Sequence, residues 1–320
     1  MRSALNLSAN GVVCLDGGLA TELENRGYQL NTKLWSAELL LNNPTAIYDS
    51  HMAYLEAGAR IITSASYQAT LQGLSDSGID SCRSRKVLTD SIDIALQARD
   101  DYRNKSGSGT ALAAASIGPY GAYLADGSEY LGNYGLSTQS LVDFHQERIN
   151  LLDGSGADIL ALETIPDHRE AYALASILEN VSTPCWISFS CSDADHLRDG
   201  TSIENSATLF RENQSVFAIG VNCTSPEHIT PLIHKLRSSV SGKTVIVYPN
   251  SGEDYQLGTW SGKHSLNQWQ QDCHDWINAG ARIIGGCCRI GPDEIGQLAD
   301  IIDLSNRTEE HGLRVKGANC

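Results

Sequence analysis

The sequence has few positive charges and no segment that suits a membrane. Its 320 residues include 23 lysines and arginines against 38 aspartates and glutamates, a net charge of −15. So acidic a surface repels phosphate backbones and anionic membranes, which argues against a nucleic-acid partner, but it tolerates a cationic substrate. No run of 18 apolar residues is present, and residues 1–10 lack the apolar stretch of a signal peptide. We therefore expect a cytoplasmic protein without a membrane partner.

The cysteine count is odd and does not suit a framework of disulfides. There are nine cysteines in a chain whose residues are 41% hydrophobic, which is enough to bury a core without disulfide staples. In a reducing compartment, cysteines such as Cys14, Cys185 and Cys191 behave as small buried hydrophobes. Cys287 and Cys288 differ, because adjacent cysteines rarely bridge each other and paired thiols are frequent metal ligands.

Short β-branched apolar runs recur along the chain and predict strands that are buried on both faces of a parallel sheet. The eight runs are Val12–Asp16, Arg60–Ser64, Leu112–Ile117, Asp158–Glu163, Cys185–Ser190, Phe217–Asn222, Thr244–Tyr248 and Arg282–Gly286. Segments with a helical apolar period lie between them. These are Pro44–Ala57, Arg83–Tyr102, Thr138–Leu152, Arg169–Leu178, Ile203–Phe210, Pro226–Leu236, Ser265–Asn278 and Pro292–Leu304.

This alternation predicts one closed (β/α)8 barrel of the TIM type, which we place at residues 1–305. The alternative is a doubly wound open sheet. That fold commonly has a phosphate-binding GxGxxG after its first strand, and the Gly17-Gly18 pair does not match this fingerprint. Residues 306–320 are polar, and we expect them to form a flexible tail.

The active site of such a barrel forms at the carboxyl ends of its strands. Cys223 follows the predicted sixth strand, and Cys287 and Cys288 follow the eighth. These two strand ends lie roughly 10 Å apart, so the three thiols can converge on one ion. Three thiolates and an open position are typical of a catalytic zinc site. The alternative is that Cys223 packs in the core and the adjacent pair forms an oxidation-prone turn.

A zinc ion with three thiolate ligands carries net charge −1, which makes it a poor electrophile for carbonyl chemistry. The same site lowers the pKa of a substrate thiol and keeps the thiolate nucleophilic. The residues therefore favour alkyl transfer to a thiol. Such a reaction needs no general base, and we assign no catalytic role to the nine histidines.

Eight segments together resemble the homocysteine S-methyltransferase family over about residues 11 to 303. They are LDGGLATELE (15–24), LWSAELL (34–40), YLEAGARIITSASYQAT (54–70), ASIGPYGAYLADGSEYLGNYG (115–135), ALETIP (161–166), GVNC (220–223), VYPNSGE (247–253) and GGCCR (285–289). The resemblance implies one zinc per chain, held by Cys223, Cys287 and Cys288. It also implies that Asp16 and Glu163 hold the ammonium of homocysteine, although either carboxylate could instead form a salt bridge or cap a helix.

Other strand-end residues are candidates for substrate binding, each with a structural alternative. Gly17 and Gly18 can offer backbone N–H groups to the substrate carboxylate, or simply form a tight turn. Asn222 and Asn250 can orient the substrate or groups around the metal, although asparagine also forms turns. Tyr67 is a candidate for a position near the zinc or the sulfonium, or for packing.

The loop from Gly118 to Gly135 is rich in glycine and tyrosine, which suits either a lid or the binding of a sulfonium cation by tyrosine faces. Its candidates for the second role are Tyr120, Tyr123, Asp126, Glu129, Tyr130 and Tyr134.

The leading hypothesis is methyl transfer from S-methylmethionine, or also S-adenosylmethionine, to the thiolate of zinc-bound homocysteine, which gives methionine. The segments SYQAT (66–70), GAYLADGSEY (121–130) and YPNSGE (248–253) resemble the branch of the family that uses S-methylmethionine. Alternatives are betaine as the donor, selenocysteine as the acceptor, or a non-catalytic zinc- or thiol-binding protein. The acidic strand ends and the glycine-tyrosine loop argue against the last of these.

Overall fold

The computed structural model describes residues 11–30, 36–107, 110–256, 259–261 and 266–317. Predicted features at residues 1–10, 34–35, 265 and 318–320 lie outside these ranges. Within them, no helix is long and apolar enough to cross a membrane.

Eight parallel strands form one sheet that closes on itself. They are β1 (Val13–Cys14), β2 (Ile61–Thr63), β3 (Leu112–Ile117), β4 (Ile159–Ile165), β5 (Cys185–Phe189), β6 (Val216–Asn222), β7 (Thr244–Tyr248) and β10 (Ile283–Ile284). Their order in the sheet is β1-β10-β7-β6-β5-β4-β3-β2, and a parallel bridge between Leu15 and Ile61 joins the two edges. The predicted (β/α)8 barrel is confirmed, although β1 and β10 are shorter than the runs that predicted them.

Helices cover the outside of the barrel or lie in the loops between strands. They are α1 (Leu19–Asn25), α2 (Ser36–Asn42), α3 (Pro44–Ala57), α4 (Leu71–Asp76), α5 (Ser81–Ser106), α6 (Tyr120–Leu124), α7 (Thr138–Asp153), α8 (His168–Leu178), α9 (Ile203–Thr208), α10 (Ile229–Ser239), α11 (Leu266–Ala279) and α12 (Pro292–Gly317). The sequence did not predict α1, α2, α4 or α6. It also did not predict the antiparallel hairpin of β8 (Asp254–Gln256) and β9 (Thr259–Ser261).

Local sequence signals explain several helix ends. Pro44 occupies the first turn of α3, and Gly58 ends that helix with a left-handed φ of 115°. The Asp80 side chain accepts from the N–H of Arg83 at the start of α5. The Asp167 carboxylate accepts from two backbone N–H groups at the start of α8.

The core has two layers, because successive residues of each strand point to opposite faces of the sheet. The outward-facing side chains pack beneath the helices, and a smaller set fills the barrel itself. The inner set is Leu15, Ile61, Leu112, Ala114, Ile159, Ala161, Trp186, Ala218, Ile246, Tyr248 and Ile283. Burying one large apolar side chain contributes about 1.5–3 kcal/mol. The filled interior leaves the carboxyl ends of the strands as the place for a site.

A helix covers most of the C-terminal segment that is predicted to form a tail. α12 continues to Gly317, past the predicted boundary at residue 305. The Asn306 side chain accepts from the N–H of Val12 at 2.8 Å and donates to its carbonyl at 3.0 Å. This long-range pairing ties the helix to the segment that precedes β1. The division of the chain into a barrel and a tail stays a prediction.

Candidate metal centre and substrate pocket

The three predicted cysteines come together at the carboxyl end of the barrel. Cys223 directly follows β6, and Cys287 and Cys288 lie in the turn after β10. Their sulfur atoms all lie within 4.8 Å of one another. Cys223 and Cys287 form a disulfide, with their Cα atoms 5.7 Å apart, and Cys288 is outside this pair. The disulfide was not predicted, because the three cysteines were expected to be reduced and to bind a metal ion.

The reduced form of this cluster fits a zinc ion. Tetrahedral coordination with zinc–sulfur bonds of about 2.3 Å puts ligand sulfurs roughly 3.8 Å apart, and the three sulfurs already lie within 4.8 Å. Cys223 is buried, whereas Cys287 and Cys288 are half-buried, so one side of the cluster is accessible. Thiolates are soft ligands that select zinc over magnesium or manganese. Metal binding requires that the Cys223–Cys287 pair is reduced.

Backbone strain is concentrated around this cluster. Thr164, Cys223 and Arg289 follow or end barrel strands and have φ values of 63°, 47° and 68°. Residues other than glycine rarely adopt this left-handed region, and such residues occur most often at functional sites. The strained backbone is held in place, since Thr164 N–H donates to Asn222 Oδ1 at 2.8 Å and Arg289 N–H donates to Thr21 Oγ1 at 3.0 Å.

The two predicted asparagines contact the protein around the cysteines. Besides holding Thr164 N–H, Asn222 Oδ1 accepts from Ser188 at 2.6 Å, and its Nδ2 donates to Thr164 Oγ1 at 2.7 Å. Asn250 Oδ1 accepts from the N–H of Cys288 at 3.3 Å. Of the two predicted roles, these contacts favour orienting groups around the metal over binding the substrate.

The two predicted carboxylates, Asp16 and Glu163, are both buried. Asp16 Oδ2 accepts from the N–H of Thr63 at 2.6 Å and from its hydroxyl at 3.0 Å. Burial raises the pKa of Asp16 well above its ordinary value, and the charge of Glu163 raises it further. Two buried carboxyl groups close enough for one to raise the pKa of the other form a favourable place for a cation such as an ammonium.

Glu163 belongs to a buried polar network that the sequence did not reveal. Burial raises its pKa to about 7, and hydrogen bonds from Ser116 and Tyr248 oppose this rise. Tyr248 also contacts Ser188 Oγ at 2.5 Å and accepts from the indole N–H of Trp186 at 3.0 Å. The network therefore connects Glu163 to strands β3, β5 and β7.

The glycine pair is required for close packing. A Cβ on Gly17 would overlap the Ile290 carbonyl and the Tyr54 ring, and a Cβ on Gly18 would overlap the Cys287 carbonyl. The N–H of Gly18 donates to the Ile290 carbonyl at 2.9 Å. Gly18 N–H is therefore engaged within the protein, which argues against its predicted role in binding the substrate carboxylate. For Gly17 that role stays a prediction.

Among the described residues, one tyrosine of the loop at residues 118–135 contacts a cysteine of the cluster. Tyr120 packs against both Tyr123 and Tyr134, with ring centroids 5.4 and 5.3 Å apart, and so forms the core of the loop. Tyr130 places its hydroxyl 3.9 Å from the sulfur of Cys288, and the Arg198 guanidinium lies 5.7 Å from its ring centroid.

Tyr67 lies beneath this loop. Its carbonyl accepts from the N–H of Gly118 at 3.2 Å, and a Cβ on Gly118 would overlap its ring. Burial raises its pKa well above the ordinary value, while the Thr164 side chain hydrogen-bonds to it. Tyr67 thus packs against Gly118 at the start of the loop, and its place near the metal stays a prediction.

Sequence reasoning missed Ser116, Tyr248 and Arg198. Tyr248 ends the predicted seventh strand, and a polar residue at a strand end was the signal that could have found it. Arg198 lies in the loop after β5 and donates to the Cys223 carbonyl at 3.2 Å. No sequence signal marks that contact.

Replacing Tyr248 with phenylalanine should shift the pH dependence of thiol-substrate binding. The change removes a hydrogen bond that stabilises the Glu163 carboxylate, so the pKa of Glu163 should rise above about 7. One hydrogen bond is worth about 0.5–1.5 kcal/mol, which corresponds to roughly one pH unit or less. The rising limb of kcat/KM for the thiol substrate should therefore move to higher pH. Tyr172→Phe, at an exposed tyrosine of α8, is the matched control; an unshifted limb in Tyr248→Phe would remove Tyr248 from this role.

Comparisons with known proteins identify the family of this chain. The sequence profile described as homocysteine S-methyltransferase matches residues 13–302. Homocysteine S-methyltransferase YbgG of Bacillus subtilis is 43% identical over 295 residues, which cover 90% of this chain and 93% of the relative. Selenocysteine Se-methyltransferase of Brassica oleracea is 42% identical, with 89% of this chain and 87% of the relative covered.

A solved structure shows the same fold. The metallated form of the homocysteine methyltransferase MmuM from Escherichia coli superimposes with a TM-score of 0.83 at 39% identity, covering 93% of this chain and 98% of the other. With the profile match over residues 13–302, these likenesses show that the chain belongs to the homocysteine S-methyltransferase family.

Proposed function

We propose that this protein is a zinc-dependent enzyme that transfers a methyl group from a sulfonium donor, S-methylmethionine or also S-adenosylmethionine, to the thiol of homocysteine. The observation that carries the proposal is the convergence of three cysteine sulfurs within 4.8 Å at the carboxyl end of the barrel, beside two buried carboxyl groups. The product, methionine, makes this a step of methionine biosynthesis.

Cys223, Cys287 and Cys288 would hold the zinc. When bound, zinc lowers the pKa of a substrate thiol so that it reacts as a thiolate near neutral pH. Asn222, Asn250 and Arg198 fix the chain around these ligands through their hydrogen bonds. Because the ligands must be reduced, we place the active protein in a reducing compartment, the cytoplasm.

The two strand-end carboxylates would bind the ammonium of homocysteine. Burial raises the pKa values of Asp16 and Glu163, and a cation bound between them would favour the charged form of each. The thiol of the bound amino acid then reaches toward the cysteines. Tyr67 and the loop at residues 118–135 cover this pocket and exclude water from the methyl group.

The transfer is balanced without another reactant. The bond between the donor's sulfonium sulfur and its methyl carbon breaks, and its electron pair stays on that sulfur as a neutral thioether. A new bond forms from the acceptor's thiol sulfur to the methyl carbon, and the thiol proton goes to solvent. With S-methylmethionine as donor, both products are methionine.

A comparison of donors tests the proposal. Reduced, zinc-containing protein should form two methionines for each homocysteine consumed with S-methylmethionine, and one methionine from each homocysteine with S-adenosylmethionine. Betaine should give little product. Selenocysteine is the second acceptor to assay, because a relative at 42% identity is named a selenocysteine Se-methyltransferase. Methionine formed from betaine and not from either sulfonium would reject the proposed donor class.

A further inference from the structure

We propose that Glu129 is the anionic group that binds the cationic end of the methyl donor, an inference that rests on the proposed function. Glu129 lies outside the three cysteines and the two strand-end carboxylates. It belongs to a short 3-10 turn, Ser128–Tyr130, within the loop at residues 118–135.

Close packing and a hydrogen bond hold the loop around Glu129 in place. Gly121 of α6 packs so closely that a Cβ there would overlap the backbone of Ser128 and Glu129. Gln68 donates to the carbonyl of Ala122 at 2.9 Å, which ties this part of the loop to the segment after β2. The loop is thus fixed well enough to present a specific side chain.

The same loop is anchored from beneath by buried charges. Arg148 Nη2 donates to the Gly118 carbonyl at 2.6 Å, and the N–H of Tyr120 donates to Glu170 at 2.6 Å. Arg148 and Glu170 are almost completely buried. Arg148 and Glu170 hold the loop in position. Because they are buried, a ligand would be recognised by other residues of the loop.

The Glu129 side chain has the properties of a group that lacks its partner. Its Oε2 atom is buried and has no hydrogen-bond partner in the described structure. Burying a carboxylate oxygen without a partner is costly, so native proteins normally satisfy it. Burial raises the pKa of Glu129 as well, and the Asp126 charge contributes in the same direction. A bound cation would satisfy this group.

Glu129 precedes a residue that contacts one of the three cysteines. The neighbouring residue Tyr130 places its hydroxyl 3.9 Å from the sulfur of Cys288. The charges of both Glu129 and Cys288 raise the pKa of the Tyr67 hydroxyl, after burial as the main cause. Glu129 and Cys288 therefore both lie near Tyr67.

The position of Glu129 favours the donor over homocysteine. Asp16 and Glu163 extend from the strand ends and already provide two carboxyl groups for one ammonium. Glu129 belongs instead to the loop at residues 118–135, and the next residue, Tyr130, contacts Cys288. Of the two substrates only the donor carries a cation at its reacting sulfur, and that cation belongs beside the cysteines.

The chemistry of the donor predicts which kinetic constant should change. A sulfonium is fully charged when it binds and loses its charge as the methyl group leaves. An anion beside it therefore stabilises the bound donor more than the transition state. Glu129 should act mainly on the KM of the donor and little on kcat, and it should not change the KM of homocysteine.

Glu129→Gln tests this inference, since it keeps the shape of the side chain and removes the charge. We expect the KM of S-methylmethionine to rise about tenfold or more at saturating homocysteine, as for other lost charge-assisted contacts. The KM of homocysteine, the zinc content and the melting temperature should stay at wild-type values, and kcat should change by less than about threefold. Glu129→Asp should restore part of the donor affinity.

Asp143→Asn is the matched control, because Asp143 is an exposed carboxylate of α7 that lies outside the loop at residues 118–135. It should leave both KM values unchanged. An active wild-type enzyme combined with an unchanged donor KM in Glu129→Gln would overturn the role of Glu129 alone. Equal rises in both KM values would overturn it too, because they indicate a general disturbance of the site. A wild-type enzyme that transfers no methyl from any sulfonium would reject the proposed function and this inference with it.

Discussion

Replacing any one of Cys223, Cys287 and Cys288 with serine should remove most of the bound zinc and lower kcat/KM by at least about 100-fold. A serine hydroxyl is harder and much less acidic than a thiol, so it is a poor zinc ligand. Residues that only orient metal ligands already cost about 10–100-fold in metal affinity or activity when mutated. The loss of a direct ligand should exceed that.

Metal analysis and a methyl-transfer assay on the same purified samples would check this expectation. Cys82→Ser is the matched control, because Cys82 is an exposed free cysteine and the chemical change is identical. Cys288→Ser gives a further contrast, since it leaves the Cys223–Cys287 pair able to form its disulfide. If all three variants retained full zinc occupancy, these cysteines would not be the metal ligands.

Glu163→Gln should raise the KM of homocysteine about 10- to 100-fold while zinc content stays unchanged. The variant loses a charge-assisted hydrogen bond to the substrate ammonium, worth about 1.5–3 kcal/mol for a buried group. The KM of the methyl donor should change little, because we place the donor beside Glu129 and not beside Glu163.

The pH dependence gives a second signature of Glu163. Its pKa is raised to about 7, so the carboxylate that attracts an ammonium is present above that pH and is lost as the pH falls through 7. In the wild type, kcat/KM for homocysteine should therefore rise as the pH increases through 7. Glu163→Gln should lose this limb and keep only the higher one that follows the thiol's own pKa of about 8.5.

A surface control separates this effect from a general loss of charge. Glu179 is exposed and follows α8, at the end of the barrel opposite the site, so Glu179→Gln should behave as the wild type. If Glu163→Gln and Glu179→Gln showed the same homocysteine kinetics at every pH, Glu163 would have a structural role and would not bind the substrate.

The architecture could be predicted because it depends on local patterns. A buried parallel strand is a short apolar run, and Thr244–Tyr248 and Leu112–Ile117 were predicted with the bounds that the structure has. The hairpin of β8 and β9 has no such pattern, since its strands are three residues long and rich in polar side chains. The extension of α12 also had no local signal, because the pairing of Asn306 with Val12 joins residues 294 positions apart.

The candidate site could be predicted to the level of strand ends and no further. A closed barrel brings its strand ends together, so the sequence positions of Cys223, Cys287 and Cys288 were enough to predict their convergence. Hydrogen bonds depend on strand register and loop packing, which the sequence pattern does not specify. Two sets of contacts could therefore be seen only in the structure. They are the hydrogen bonds of Tyr248 around Glu163, and the hydrogen bond from Gly18 N–H to the Ile290 carbonyl.

X-ray absorption at the zinc edge is the most direct test of the central claim, that the three cysteines form a zinc centre which takes up the thiol of homocysteine. The samples are reduced, zinc-containing protein without and with saturating homocysteine. We expect three sulfur neighbours of the zinc in the first sample and four in the second, with release of a proton that calorimetry in buffers of different ionisation enthalpy can count. A zinc shell that keeps three sulfurs when homocysteine is saturating would contradict thiol activation by the metal.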